Sequence, residues 1–267
     1  MDVQHRPTIH LVGERFSAFA ANDGVATVNR FIGNIRGGLY DDLPHPVRLG
    51  AGQGVDASDW EVVAAELARR GLLSGFHLPA VPVVVPADLV HKRSQENVML
   101  ADARRRGPSR LAARLNLSDM NELVLDHVTG QHVAGMVLIE AARQLMHLAN
   151  HELVVDGDAH SFVLCSLAAG FEGYVFPLGV DLECALTRLD TSKPARQDYS
   201  AEVLISQGGQ TRARVRAEYQ IVRTRSLTRQ EAMLAAKAAA SAEPDVPPRV
   251  CAAPVALRGE RVPTTAS

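Results

Sequence analysis

From Ala213 to Ile221 every second residue is apolar or aromatic. Ala213, Val215, Ala217, Tyr219 and Ile221 alternate with Arg214, Arg216, Glu218 and Gln220. Successive strand side chains point to opposite faces, so this spacing predicts a strand with one face buried and one wet. The same period runs through Leu111, Ala113, Leu115 and Leu117, and through Val180, Leu182, Cys184 and Leu186. Residues 97–103, 162–167 and 199–206 also read as strands. Gln207-Gly208-Gly209-Gln210 reads as a hairpin turn, and Arg106-Gly107-Pro108-Ser109 as a second turn. Amid these strands a loop over 118–133 leads into a helix from Gly135 to about Glu152.

The first 80 residues have a different texture. Residues 9–12 form a short strand ending at Gly13, and 15–21 and 25–35 have helical spacing. Trp60, Val63, Ala64 and Leu67 make one apolar stripe, which predicts a helix over 59–70. Ser58 and Glu61 read as its capping box and Gly71 as its C-terminal cap. Pro79, Pro82 and Pro86 mark an extended connector. Residues 231–242 are alanine-rich and helix-forming, and prolines and small residues from 243 predict disorder. The expected class is α+β. A small α/β segment (1–80) precedes a region of antiparallel strands with one long helix (88–228), and an Ala/Pro-rich tail (229–267) follows.

Apolar residues make up 46% of the chain, enough for a sizeable core, and the formal charge of −2 argues against a nucleic-acid binder. The three cysteines match no zinc spacing, and Cys165 and Cys184 read as small buried hydrophobes. The amino terminus lacks an apolar signal region, and the apolar run 80–85 is short and broken by proline. A soluble cytoplasmic protein is expected, with no membrane partner.

The chemistry concentrates in Asp126-His127-Val128-Thr129-Gly130-Gln131-His132-Val133-Ala134-Gly135-Met136-Val137-Leu138-Ile139-Glu140-Ala141-Ala142-Arg143-Gln144. A histidine-bearing loop feeds a glycine and then an apolar helix. The first helical turn, at Gly135 and Met136, presents unpaired N–H groups that can stabilise a thioester oxyanion. Glu140 lies in an apolar run, where burial alone would raise its pKa toward that of a general base. Arg143 and Gln144 lie three and four residues on and can orient it. Blander readings stand beside these. Glu140 can simply pair with Arg143, and His132 can be a hydrogen-bonded structural histidine. His147 and His151 lack a third metal ligand. Gly50-Ala51-Gly52-Gln53-Gly54 has the look of a phosphate cradle, but on this reading no strand runs from it directly into a helix, and no Lys-Ser/Thr follows.

The loop-and-helix block resembles the A-factor (γ-butyrolactone) synthase family, in which an Asp-His pair precedes a Gly-Met turn and a Glu-Ala-x-Arg-Gln helix. A second block, Val90-His91-Lys92 through Asp102, is similar to the opening of that family's domain. The resemblance covers about 88–225 and implies a hotdog fold, an antiparallel sheet wrapped around a central helix. It further implies transfer of a β-ketoacyl group from acyl carrier protein to the hydroxyl of dihydroxyacetone phosphate, with no metal, nucleotide or other cofactor. Glu140, His127 and His132 then fall in catalytic positions, and Gly135 and Met136 bind the thioester. His91, Lys92, Arg93, Arg143 and Gln144 serve substrate or phosphate binding. Dehydratases of the wider hotdog group are also similar, although Thr129 and Ala134 stand where their loop has prolines and the spacing differs. A dehydratase or thioesterase, or a non-catalytic acyl-binding module, are therefore alternatives. The family pairs two hotdog units in one chain and this sequence shows one, which implies a homodimer. Arg104, Arg105, Arg106 and Arg110 can dock an acidic carrier protein. Nothing in 1–80 is similar to that pattern.

Overall fold

The computed structural model describes residues 8–43, 46–126, 129–154, 160–190 and 196–241. The first layer is a parallel sheet of β1 (Thr8–Val12), β2 (Val25–Thr27), β3 (Val47–Ala51) and β4 (Phe76–His77) in the order β2-β1-β3-β4. Helices α1 (Val28–Arg36) and α2 (Ala57–Arg69) form the crossovers. Leu11, Phe31, Ile35, Leu49, Val63 and Leu67 are fully buried between sheet and helices.

Local chemistry explains where the elements depart from the sequence reading. Residues 25–27 were expected to be helical, but Val-Ala-Thr pairs with β1, and the Thr27 hydroxyl caps α1 by accepting from Arg30 N. The capping box on α2 is Asp56 with Asp59, not Ser58 with Glu61. Each carboxylate accepts the other residue's backbone N–H at 3.0 Å, and Ser58 donates its hydroxyl to Asp56. The expected helix over 15–21 is two 3-10 turns, Glu14–Phe16 and Phe19–Ala21. It breaks because the Phe19 N–H donates to Gly130 O (2.8 Å), outside the segment.

The glycine-rich stretch does run from β3 into α2, against the sequence reading. Its crevice, at the carboxyl ends of β1 and β3, is where open parallel sheets commonly take a ligand. Here Asp119 from the second layer fills it. Asp119 Oδ2 accepts from Glu14 N at 2.7 Å, and burial pushes its carboxyl above the usual range against the pull of that N–H. Gln53 ties the layers further, donating to Leu115 O and Leu178 O and accepting from Leu117 N. Gly54 has φ +81, and a Cβ there would lie 2.3 Å from Asp119 Oδ1. Gly54→Ala is expected to lower stability by about 2 kcal/mol or more, read as a shift in the urea midpoint, because both backbone and space forbid a side chain.

The second layer holds β5 (Leu100–Gly107), β6 (Arg110–Leu115), β7 (His160–Phe171), β8 (Asp181–Asp190), β9 (Arg196–Gln207) and β10 (Gln210–Arg223). All neighbours are antiparallel in the order β5-β6-β8-β9-β10-β7. The loop before the central helix contains a short helix, α3 (Glu122–Asp126), and the central helix α4 spans Gly135–Leu153. Ala141, Ala142 and Ala149 are buried, so small side chains let α4 lie close in the concave face, with Leu145 and Leu148 filling the space beside them. The β9–β10 turn places Gly208 and Gly209 at φ 61 and 75, the left-handed pair that a two-residue hairpin demands. This is the expected hotdog architecture. It and the parallel layer belong to one compact unit ending at Leu227. The second unit, Thr228–Ser267, is described only to Ser241 and is helical there, within α5 (Thr224–Ser241). Among the described residues no helix is long and apolar enough to cross a membrane.

β7 is only half covered. Leu164, Leu167 and Phe171 pair with Tyr219, Ala217 and Ala213 of β10 and so share the core-facing side of the sheet. Those partners are buried, whereas Leu164, Leu167 and Phe171 remain 59%, 47% and 52% exposed. Cys165, expected to be buried, is exposed at a bulge where the register with β10 shifts.

Candidate functional site

The loop entering α4 is held by its own side chains. Thr129 Oγ1 accepts from Gln131 N and His132 N and shares a 3.1 Å hydrogen bond with His132 Nδ1. With Nδ1 so engaged, a proton exchanged with a ligand passes through Nε2. The His132 ring meets Tyr174 edge-on at 4.9 Å. His132, Gly135, Leu138, Phe171, Tyr174 and Val175 line a cavity of about 360 Å³ at the amino end of the helix. Backbone bonding in α4 starts with Val137 and Leu138, both donating to Ala134 O, so the N–H groups of Gly135 and Met136 precede the ladder. A Cβ on Gly135 would sit 3.0 Å from Phe171 Cζ, so this glycine makes room for an aromatic ring in the cavity wall. The Met136 side chain is exposed.

Glu140 lies one turn further and lines neither this cavity nor the next. Its side chain is 15% exposed. Oε1 takes Lys92 Nζ at 2.7 Å, Arg143 Nη2 at 2.8 Å and Gln144 Nε2 at 3.1 Å, and Oε2 takes Arg143 Nε at 2.7 Å. Burial pushes this carboxyl up, as the sequence reading expected, but Arg143, Lys92 and Gln144 outweigh it and bring the pKa to about 2. Glu140 is therefore a fixed anion between two cations and a weak base at neutral pH, a correction to that reading. Gln144 is fully buried with both ends used: its Oε1 accepts from Met99 N, and its Nε2 donates to Asn97 O as well as to Glu140. It locks α4 to the entry of β5 and orients Glu140, and is not placed to bind substrate.

A second pocket of about 100 Å³ follows along the helix, lined by Arg143, Met146, His147, Phe162, Leu164 and Tyr219 among others. His91, with φ 55, lays its ring 4.3 Å from His147, which in turn meets Phe162 at 5.0 Å. Burial, then the charge of Arg143, pushes the His147 imidazole down to about 3, so it stays uncharged. The structure thus brings His91, Lys92, Arg143 and Glu140 together. It leaves Arg93 exposed and outside the cluster, and His127 lies outside the described residues. Sequence reasoning missed Phe162, Phe171 and Tyr174, because the signal of a wall residue is a partner across space, not a local period. It weighed His147 only as a metal ligand.

A model of the A-factor biosynthesis hotdog domain matches residues 77–223. The chain belongs to the A-factor biosynthesis hotdog family. Both cavities, the Glu140 cluster and the loop from Thr129 fall inside the part matched to that family, and residues 8–76 fall outside it. A search of curated proteins returned no match. Among solved structures, a mutant thioesterase from Pseudomonas aeruginosa is 14% identical over 52% of this chain and 95% of its own, with a TM-score of 0.39. A conserved protein from the same organism is 17% identical over 51% and 100%, with a TM-score of 0.39. The AziG protein of S. sahachiroi is 18% identical over 46% and 91%, with a TM-score of 0.33. Membership of the A-factor biosynthesis hotdog family places the chain among hotdog enzymes of acyl-thioester chemistry.

Proposed function

We propose that this protein moves a β-ketoacyl group from acyl carrier protein to the hydroxyl of a small acceptor such as dihydroxyacetone phosphate, in butyrolactone- or butenolide-type biosynthesis. One observation carries the reading. Phe171 walls the cavity beside His132 and Leu164 walls the second pocket, and both belong, with Leu167 between them, to the uncovered apolar row of β7. From Phe171 to Leu164 the strand spans roughly 23 Å, long enough to carry a fatty chain.

In the proposed step the acceptor oxygen attacks the thioester carbonyl, and the N–H groups of Gly135 and Met136 receive the oxyanion. With its ring proton on Nδ1 and donated to Thr129, His132 takes the acceptor's proton on Nε2. The C–S bond then breaks and the thiolate leaves with that proton. A second copy of the chain, laid on β7, roofs the apolar row, so the working form is a homodimer.

The test is to incubate the protein with a β-ketoacyl carrier protein, with and without dihydroxyacetone phosphate, and follow products by mass spectrometry. A phosphate ester formed only with the acceptor is expected. Free acid or enoyl product without acceptor points instead to a thioesterase or dehydratase, and tight binding without turnover to an acyl-binding module. Parallel His132→Ala and His127→Ala variants decide which imidazole carries the proton. Gly135→Ala, which presses on Phe171, is expected to raise KM for the thioester about tenfold with little change in thermal midpoint. An unchanged KM removes the cavity from the acyl path.

A further inference from the structure

The family match leaves the parallel layer without a role. We propose that residues 14–21 form a strap that positions the His132 loop, and that holding this loop is what the α/β segment contributes to the site. The inference rests on the cavity beside His132 being the reacting site.

The loop from Thr129 to Ala134 contains no proline and carries Gly130 at φ +74, so its own sequence does little to hold it still. The strap holds it at adjacent points. Phe19 N donates to Gly130 O at 2.8 Å, and Gln131 Nε2 donates to Ala18 O at 3.0 Å. The two segments touch where Gly130 lies, since a Cβ on it would come within 3.0 Å of Ala18 Cβ. Val133 N, at the end of the loop, donates to Val175 O in the cavity wall. Phe19 also stacks on Phe176, with ring centroids 5.6 Å apart, and Phe176 directly follows the wall residue Val175.

The strap is itself pinned at its other end. Asp119 accepts from Glu14 N and Arg15 N, and Phe16 is 2% exposed within the core of the second layer. The crevice that could take a ligand in a free-standing parallel sheet is thus spent on anchoring. A loop fixed at Gly130 and Gln131 fixes the ring that follows at His132. Displacing a reacting group by about 1 Å can cost up to a hundredfold in rate, so the strap sets the rate without touching substrate.

The Gln131 side chain is exposed, so the test uses it and leaves the core intact. In the full chain, Gln131→Ala is compared with Gln131→Arg, whose side chain can still donate to Ala18 O. Three quantities are read: the thermal midpoint, amide exchange over 129–137 by mass spectrometry, and kcat and KM with a β-ketoacyl carrier protein. Gln131→Ala is expected to keep its midpoint, to exchange these amides about tenfold faster, and to lose about ten- to a hundredfold in kcat with KM nearly unchanged. Gln131→Arg is expected to recover exchange and kcat together. Unchanged exchange in Gln131→Ala, or faster exchange with kcat intact, or equal loss in both variants, overturns the strap. Should the wild-type chain turn over no thioester, the acyl-transfer reading fails, while the exchange comparison still decides whether the strap holds the loop.

Discussion

Glu140→Gln is expected to lower turnover at least a hundredfold and to cost about 2 kcal/mol of stability. The amide matches the carboxylate in shape and can keep the contact with Gln144. It cannot neutralise Lys92 and Arg143, which lie 2.7 Å from the carboxylate oxygens on a partly buried helix face. Two cations without their anion repel each other and shift, and the wall that carries Arg143 and His147 shifts with them. The acid limb of the stability curve isolates the same group. Folded, Glu140 titrates at about 2; unfolded, it returns to 4.5. Between those values the unfolded chain binds more protons, so the contribution is complete above about pH 4.5 and drains away as pH falls toward 2. Urea midpoints measured from pH 6 to pH 2 should fall more steeply for the wild type than for Glu140→Gln. Identical acid limbs mean that the cluster does not hold the carboxylate, and wild-type turnover in the variant removes Glu140 from the site.

Leu167→Arg is expected to convert a dimer into a monomer and to remove activity with it. Leu167 faces the core side of the sheet yet is 47% exposed, which is the state of a side chain awaiting cover. A guanidinium placed there leaves water only at a cost of several kcal/mol when unpaired, enough to split an association of ordinary strength. Ser166 supplies the control. It lies next in the chain but opposite Glu218, on the outer face. Ser166→Arg should remain dimeric and active. Light scattering on the three proteins reads the outcome. A monodisperse wild-type monomer, or equal behaviour of the two variants, sinks the proposed homodimer.

Some of this was legible along the chain. The alternation through β10, the Gly-Gly hairpin and the helix beginning at Gly135 are local properties, set by strand and helix periods and by the backbone freedom of glycine. They sufficed for a mixed α+β class with an antiparallel sheet, and the block from Asp126 to Gln144, through the family it resembles, supplied the hotdog architecture and the candidate site. Short segments were less legible. The stretch 15–21 has helical spacing, but a single hydrogen bond to Gly130 redirected it. The glycine-rich stretch after β3 looked like a binding loop, and a carboxylate from another layer occupies it.

Periodicity and composition determined which residues are apolar on which face, and therefore the layers and the buried run around Glu140. Tertiary structure alone decided the charge state of that glutamate, because Lys92 arrives from a distant turn and reverses the effect of burial. It alone decided that His132 borders the cavity, why the apolar face of β7 is still wet, and that residues 14–21 hydrogen-bond to the His132 loop. Side-chain period is read from neighbours in the chain, whereas pKa, cavity walls and anchoring depend on neighbours in space.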